Sequence, residues 1–168
     1  MKRGMRMLKR TCCLAGHRSL PVGSMQYISA LLERKIAFLI ENGYTRFCAG
    51  GAAGFDTLAE MTVIRLRRNY PEIKLILVLP CARRVLPDGD IGEMEFRAIL
   101  ELADEVTYTS HCYYDGCIER MGRAIVDMSH SCLCYFDGRD GGTAYTVGYA
   151  RSAGLPIYNL ADSVHGID

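Results

Sequence analysis

Two hydrophobic periods alternate along this chain. Short, almost unbroken apolar runs are separated by stretches in which apolar side chains return every three or four residues, the pattern of buried strands interleaved with amphipathic helices. Thr11 to Ala15 reads as the first strand. Ser24 then offers an N-cap to a helix carried by Ile28, Leu31, Leu32, Ile36, Leu39 and Ile40 and ended by Asn42-Gly43. The second strand is Arg46 to Ala49, followed by a helix from about Phe55 to Asn69 that Pro71 closes. Lys74 to Leu79 is the third strand, and a helix follows from about Gly92 to Ala103. The remaining units are strands at Glu105 to Tyr108, Cys132 to Phe136 and Pro156 to Leu160, with helices from about Gly116 to Met128 and over Ala144 to Ser152.

Six strands alternating with five helices predict an α/β fold: a Rossmann-like, doubly wound, mostly parallel sheet flanked by helices and joined by right-handed crossovers. Ligands of such sheets sit at the carboxyl ends of the strands. The longest irregular stretch, Cys81 to Ile91, contains Arg83, Arg84, Pro87, Asp88, Gly89 and Asp90. Loops of that length are often functional, and the sequence does not say whether this one closes over a site. Met1 to Arg6 and Ser163 to Asp168 show no periodicity and are expected to be mobile.

Composition narrows the class. With 168 residues and 49% hydrophobic content, one globular domain over residues 1–168 is expected. Twenty basic residues against nineteen acidic ones give a formal charge of +1, so bulk electrostatics call for neither nucleic acid nor an anionic membrane. A local basic cluster is formed by Lys2, Arg3, Arg6, Lys9 and Arg10. The apolar run behind it, Cys12 to Ala15, is too short for a signal peptide, and no stretch reaches the roughly 18–20 apolar residues of a membrane span. A soluble, cytoplasmic protein is expected. The eight cysteines fall mostly in strands, as buried thiols do, and no CxxC pair occurs. His111 with Cys112 and Cys117 is only loosely metal-like, and no metal site is expected.

Candidate chemistry gathers at the strand ends. Gly16-His17-Arg18 follows the first strand, Gly50-Gly51-Ala52-Ala53-Gly54-Phe55-Asp56 the second, and Gly141-Gly142-Thr143 the fifth. Glycine allows a sharp turn and close approach to a ligand, and the helix that follows presents unpaired N–H groups to an anion. Arg18 suits bidentate pairing with phosphate, and Thr143 can donate its hydroxyl. Asp56 fits either a ribose hydroxyl or a helix cap, and His17 either a ligand contact or a strand-end cap. The GxGxxG fingerprint is absent after the first strand, and the P-loop, HExxH and GxSxG patterns are absent altogether.

The motifs Leu14-Ala15-Gly16-His17-Arg18, Cys48 to Glu60, and Tyr135-Phe136-Asp137-Gly138 leading into Gly141-Gly142-Thr143 resemble the YpsA-type branch of the SLOG superfamily. The middle motif is similar to the SGGAxGID run of the DprA family, and the Gly-Gly-Thr element to the PGGxGT of the Lonely Guy phosphoribohydrolases. The resemblance implies a Rossmann-like domain that binds nucleotides or nucleotide-derived ligands such as ADP-ribose, NAD or a nucleoside monophosphate. It implies ligand contacts at Gly16, His17, Arg18, Gly50, Gly51, Ala52, Gly54, Phe55, Asp56, Gly141, Gly142 and Thr143, and a homodimer paired through helices that flank the sheet. The phosphoribohydrolases' catalytic arginine and glutamate map to Met121 and Thr146, neither of which can do that chemistry. Where YpsA-like chains commonly read Arg-Asn-Arg, this one has Met121-Gly122-Arg123. Arg120 and Arg123, about 100° and 200° around the helix from position 121, are the available substitutes.

The resulting expectation is a binding protein or sensor for a nucleotide derivative, with no certain cofactor. The alternative is a hydrolase or transferase at an N-glycosidic bond, with Asp56 or Glu60 as the carboxylate. A further alternative is DprA-like DNA binding through the N-terminal basic cluster with Arg65, Arg67 and Arg68, against which the near-zero net charge argues.

Overall fold

The computed structural model describes residues 9–82 and 91–164. Lys2, Arg3, Arg6, Arg83, Arg84, most of the 81–91 loop and the extreme ends lie outside the described residues.

The elements run β1 (Arg10–Gly16), α1 (Met25–Glu41), β2 (Tyr44–Ala49), α2 (Phe55–Leu66), β3 (Lys74–Leu79), α3 (Ile91–Leu102), β4 (Glu105–Tyr108), α4 (Cys117–Asp127), β5 (Ser131–Tyr135), α5 (Gly142–Ser152), β6 (Ile157–Asn159) and α6 (Ala161–Val164). Their sheet has the order β4-β3-β2-β1-β5-β6. Every pairing in it is parallel. The α/β, Rossmann-like expectation therefore holds. Within β3, Leu75, Leu77 and Leu79 enter one core with Ile28, Leu32 and Ile36 of α1 and Val63 of α2. Ile76 and Val78 enter a second core with Ile125 and Val126 of α4 and Val147 of α5. That alternation is why the strands read as continuous apolar runs.

The chain steps outward from β1 to β4, then crosses back to place β5 on the other side of β1. Right-handed crossovers put α1 to α3 on one face and α4 and α5 on the other. Strand order reverses between β1 and β5, and a crevice opens there at the carboxyl edge.

Local physics sets the boundaries. Helix α1 buries Ile28, Leu32, Ile36, Leu39 and Ile40. Each contributes about 1.5–3 kcal/mol. Gly43 at φ +91° ends the helix, and the Asn42 side chain donates to the Phe38 carbonyl at 2.7 Å. Ser24 occupies the N-cap as expected but makes no side-chain capping bond. Helix α2 stops at Leu66 rather than Asn69: the Arg68 and Asn69 amides drop to three-residue bonds with Arg65 and Leu66 ahead of Pro71. Helix α6 was not expected. Its single turn is begun by Asn159, whose side-chain oxygen accepts the Ala161 amide at 3.1 Å, a local bond with no periodic signature. Among the described residues no helix is long and apolar enough to cross a membrane.

Candidate functional site

A cleft of about 1120 Å³ occupies the crevice beside β1. Its floor comes from strand ends: Leu14 to Arg18 after β1, Gly50 to Ala53 after β2, and Leu79 to Cys81 after β3. Its wall comes from the start of α4, including Tyr113, Asp115, Glu119 and Met121, and from Asp140 to Thr143 at the start of α5. A shallower depression of about 400 Å³ between α1 and α2 contains none of the strand-end residues.

The turn after β2 is braced from below. The Gly51 amide donates to Glu60 Oε1 at 3.1 Å, and the Ala52 amide to Asp56 Oδ2 at 3.3 Å. Both carboxylates lie on α2 and are nearly sealed from solvent, Glu60 at 1% and Asp56 at 6% exposure. Burial pushes the Asp56 carboxyl up to about 7, against the amides of Ala52, Gly16 and Gly50 and the charge of Arg18, all of which favour its ionised form. Oδ1 of Asp56 has no hydrogen-bond partner among the described residues. A buried oxygen without a partner is costly, and that cost adds to the burial that raises this carboxyl.

Glycine is required here for two close approaches. At Gly54, with φ +78°, a Cβ would lie 2.2 Å from the Arg18 carbonyl oxygen. At Gly16, a Cβ would lie 2.3 Å from the Phe55 ring. The Phe55 amide donates to the His17 carbonyl at 3.1 Å, locking the first two turns together.

The first and fifth strand ends are tied by polar contacts. His17 Nε2 lies 2.8 Å from Asp137 Oδ1. The Asp137 amide is 3.2 Å from the same nitrogen. The shorter distance to an ionised carboxylate favours Nε2–H as donor, because a charged acceptor makes the stronger bond. Hydrogen bonds from Arg139 hold the Asp137 carboxyl down at about 2, while burial lowers the His17 imidazole. Arg139 also donates to the Ser19 carbonyl at 3.1 Å. Beside this clamp Arg18 is exposed and makes no ion pair with any described residue.

The turn after β5 is open. Gly141, at φ +135°, has no atom within 4 Å of a Cβ placed on it. Inside α5 the first carbonyl bonds begin with the Tyr145 amide to Gly141. The amides of Gly142, Thr143 and Ala144 thus form the unsatisfied first turn. Opposite them, Met121 packs its sulfur and terminal methyl over Gly50. The Thr146 hydroxyl donates back to the Gly142 carbonyl at 3.0 Å. Arg120 and Arg123 do not line the cleft: Arg123 donates to the Tyr145 hydroxyl at 2.6 Å and Arg120 to that of Tyr114 at 3.4 Å. Helical geometry points both away from the face that carries Met121.

The family model named YpsA, described as the YspA SLOG family, matches residues 16–154. The chain belongs to that family. The match begins at the end of β1 and closes after α5, so it spans every strand end that reaches the cleft. Among relatives of the YspA SLOG chain, the YpsA protein of Bacillus subtilis is 20% identical over 142 residues, covering 80% of this chain and 79% of the relative. A UPF0398 protein of Bacillus pumilus is 24% identical over 132 residues, covering 77% and 71%. Among solved structures, DNA processing protein A of Helicobacter pylori superposes with a TM-score of 0.63 at 18% identity over 88% of this chain and 63% of its own. The Streptococcus pneumoniae protein gives 0.62 at 15% identity, over 90% and 50%. This chain therefore spans less than two thirds of either DNA processing protein, and the likeness is one of fold. A single-stranded DNA binding mode is described for the Helicobacter protein.

Of the residues singled out from sequence, Gly16, His17, Arg18, Gly50, Gly51, Ala52, Asp56, Gly141, Gly142 and Thr143 line this one cleft, as does Thr146. Gly54, Phe55 and Glu60 stand behind its floor, where they shape the turn without lining the space. Sequence reasoning passed over Tyr113, Asp115, Glu119 and Asp140. The signal for the first three was the parallel sheet itself: every loop that leaves a parallel strand emerges at the same edge, including the one after β4.

Proposed function

We propose that this YspA SLOG protein binds a nucleotide or nucleotide-derived ligand in the cleft, its phosphate against the open first turn of α5 and Arg18. The observation that carries this reading is the convergence, in one cleft, of that open turn and an arginine with no ion-pair partner among the described residues, above the buried carboxyl of Asp56. Backbone N–H groups and a guanidinium suit a phosphate, and a buried carboxyl oxygen suits a ribose hydroxyl. Met121 and Thr146 leave the site without the phosphoribohydrolase arginine and glutamate, which favours binding or sensing over that reaction. Thermal melting against ADP-ribose, NAD and nucleoside monophosphates tests the reading, because a ligand selective for the folded state raises Tm by mass action. At least one is expected to shift Tm, and the shift is expected to vanish in Arg18→Gln. No shift at millimolar concentration removes the proposal.

A second reading, cleavage or transfer at an N-glycosidic bond, is favoured by the burial of Asp56 in the cleft floor, which pushes its carboxyl up to about 7, the range of a general acid. Release of free base from a bound nucleotide, abolished in Asp56→Asn, would establish it. For DNA binding the basic row at the C-terminal end of α2, Arg65, Arg67 and Arg68, offers little. Arg65 pairs with Glu33 and Arg67 with Asp104, so two of its three arginines are committed within the chain.

A further inference from the structure

The sheet has two edges, and they are finished differently. Strand β6, at one edge, is three residues long and half-buried throughout. Pro156 precedes it, and its last residue, Asn159, binds the Phe136 amide and carbonyl through its side chain. A short strand entered by proline offers little to a further strand. Strand β4, at the other edge, reads Glu105-Val106-Thr107-Tyr108, is exposed along its whole length and keeps a continuous register with β3. Its one charge is already met, since Arg46 donates to both carboxylate oxygens of Glu105 at 3.2 Å. Asp104, just ahead of the strand, is held by Arg67. An edge that is β-branched, aromatic and free of lysine and proline lacks the usual devices that keep other strands away.

Hydrogen-bond direction fixes what that edge presents. The Thr109 amide donates to the Leu79 carbonyl at 2.9 Å, and Leu79 stands opposite Tyr108 in the register. Alternate residues of a parallel strand serve its two sides, so Thr107 and Thr109 turn their backbone groups to β3, and Val106 and Tyr108 turn theirs outward. The side chains of Val106 and Tyr108 share a face as well. They stand opposite Leu77 and Leu79, on the side of the sheet that α1 to α3 cover, yet Val106 is 37% and Tyr108 46% exposed. Met94 and Leu102 of α3, on that same side, are exposed too.

We propose that β4 is the contact with a second copy of this chain, the two strands pairing antiparallel about a twofold axis at Thr107. Within β4 only this register uses both outward-facing residues of each strand: Val106 lies against the partner's Tyr108 and Tyr108 against the partner's Val106, each pair exchanging both of its backbone bonds. The surface therefore fits itself, as a twofold contact must. Valine beside tyrosine is a favourable cross-strand pair, and so is threonine beside threonine, which is what meets at the axis. Like charges do not come opposite each other, because Glu105 falls across from Thr109 and is neutralised by its own Arg46. The pairing joins two six-stranded sheets into one. It is a strand-on-strand contact, in place of the pairing through flanking helices that the family resemblance implies. So short a strand gives a contact at the small end of the range, below roughly 800 Å² per partner, and hence a weak dimer.

Sedimentation equilibrium of the full chain is expected to show a monomer–dimer equilibrium with a Kd of about 1–100 µM. Thr107→Lys sets two like charges across the axis and is expected to weaken the dimer about tenfold or more. Thr107 is exposed, and circular dichroism verifies that the variant folds. Thr107→Cys, made together with Cys112→Ser to remove the exposed thiol, tests the register. Residues opposed at a non-hydrogen-bonded antiparallel position have Cα atoms about 4.5 Å apart, within reach of a disulfide. Diamide, which oxidises two thiols to a disulfide, is expected to convert this variant to a covalent dimer. Val106→Cys in the same background, whose thiol faces Tyr108 across the strands, is expected to cross-link far more slowly. A protein that stays monomeric at about 500 µM, well above the expected Kd, overturns the proposal. So does a dimer that folded Thr107→Lys leaves intact, which would place the contact on another surface, or cross-linking of Val106→Cys as fast as that of Thr107→Cys.

Discussion

Two glycine turns border the cleft, and they direct their amides differently. After β2, the Gly51 and Ala52 amides point down to Glu60 and Asp56 on α2, and Gly54 lets the Arg18 backbone approach from the neighbouring turn. After β5, no carboxylate among the described residues accepts from the Gly142, Thr143 or Ala144 amides, and Gly141 and Gly142 are exposed. The first turn is held by its own helix and serves as a fixed floor. The second leaves its donors open. A glycine-rich sequence after a strand therefore does not by itself say which way the N–H groups face. The residues one and two helical turns later decide it, since an acid that reaches back captures the amides and a threonine that bonds its own helix does not.

The largest effect that separates the turns is steric. Gly54→Ala is expected to lose about 3 kcal/mol or more in urea unfolding, because positive φ and a backbone clash act together. Gly142→Ala, whose added carbon would meet only Ile118 Cγ2 at 3.2 Å, should stay within about 1 kcal/mol of wild type. Equal losses would erase the distinction.

Next comes the carboxylate beneath the first turn. Asp56 has a folded pKa raised to about 7, above the ordinary value near 3.9. Its contribution to stability is complete below pH about 4 and is lost as pH rises through about 7, on the order of a few kcal/mol over that window. Urea midpoints measured from pH 4 to 8 should show this fall in wild-type protein and a flatter profile in Asp56→Asn. Asp140→Asn, at the exposed second turn, should retain the wild-type slope.

A smaller effect belongs to the ligand side. Arg18→Gln is expected to weaken a phosphate-bearing ligand by about tenfold or more, roughly 1.4 kcal/mol, while changing unfolding stability by less than about 0.5 kcal/mol. A comparable stability loss would mean that Arg18 supports the first turn instead of serving the cleft. Smallest of all, Gly148→Ala in α5, with no atom within 4 Å of the new carbon, should raise stability by about 0.5–1 kcal/mol and leave binding unchanged, which calorimetry and urea titration check together.

Most of the architecture could be read from the chain because each strand is apolar on both faces and each helix has one apolar stripe. Leu75 to Leu79 illustrate the first, and Ile28, Leu32, Ile36 and Leu39 the second. The boundaries that slipped were local: the last turn of α2, governed by the approach to Pro71, and α6, which depends on one Asn159 bond. Within the cleft, the strand-end glycines and Arg18 were visible because backbone geometry and charge leave compositional marks. Asp115 and Glu119 were not, since a carboxylate near the start of a helix looks the same whether it faces bulk water or a ligand. The roles of Asp56 and Glu60 divide for a similar reason: one helical turn separates them, and only packing shows that the second lies fully under the loop while the first reaches the space above it.

Sheet order also dictates when the cleft can exist. Strand β1 is made first yet sits in the middle, and its pairing with β5 awaits residues 131–135, more than three quarters of the way along the chain. A ribosome that has delivered β1 to β4 has made four of the six strands, and their second face, including Cys13 and Cys48, is bare of α4 and α5. The α4 wall and the α5 turn come only with the final third of translation. The nascent protein therefore completes this cleft only late in its synthesis, and a truncation before β5 would yield a sticky intermediate with one apolar face uncovered.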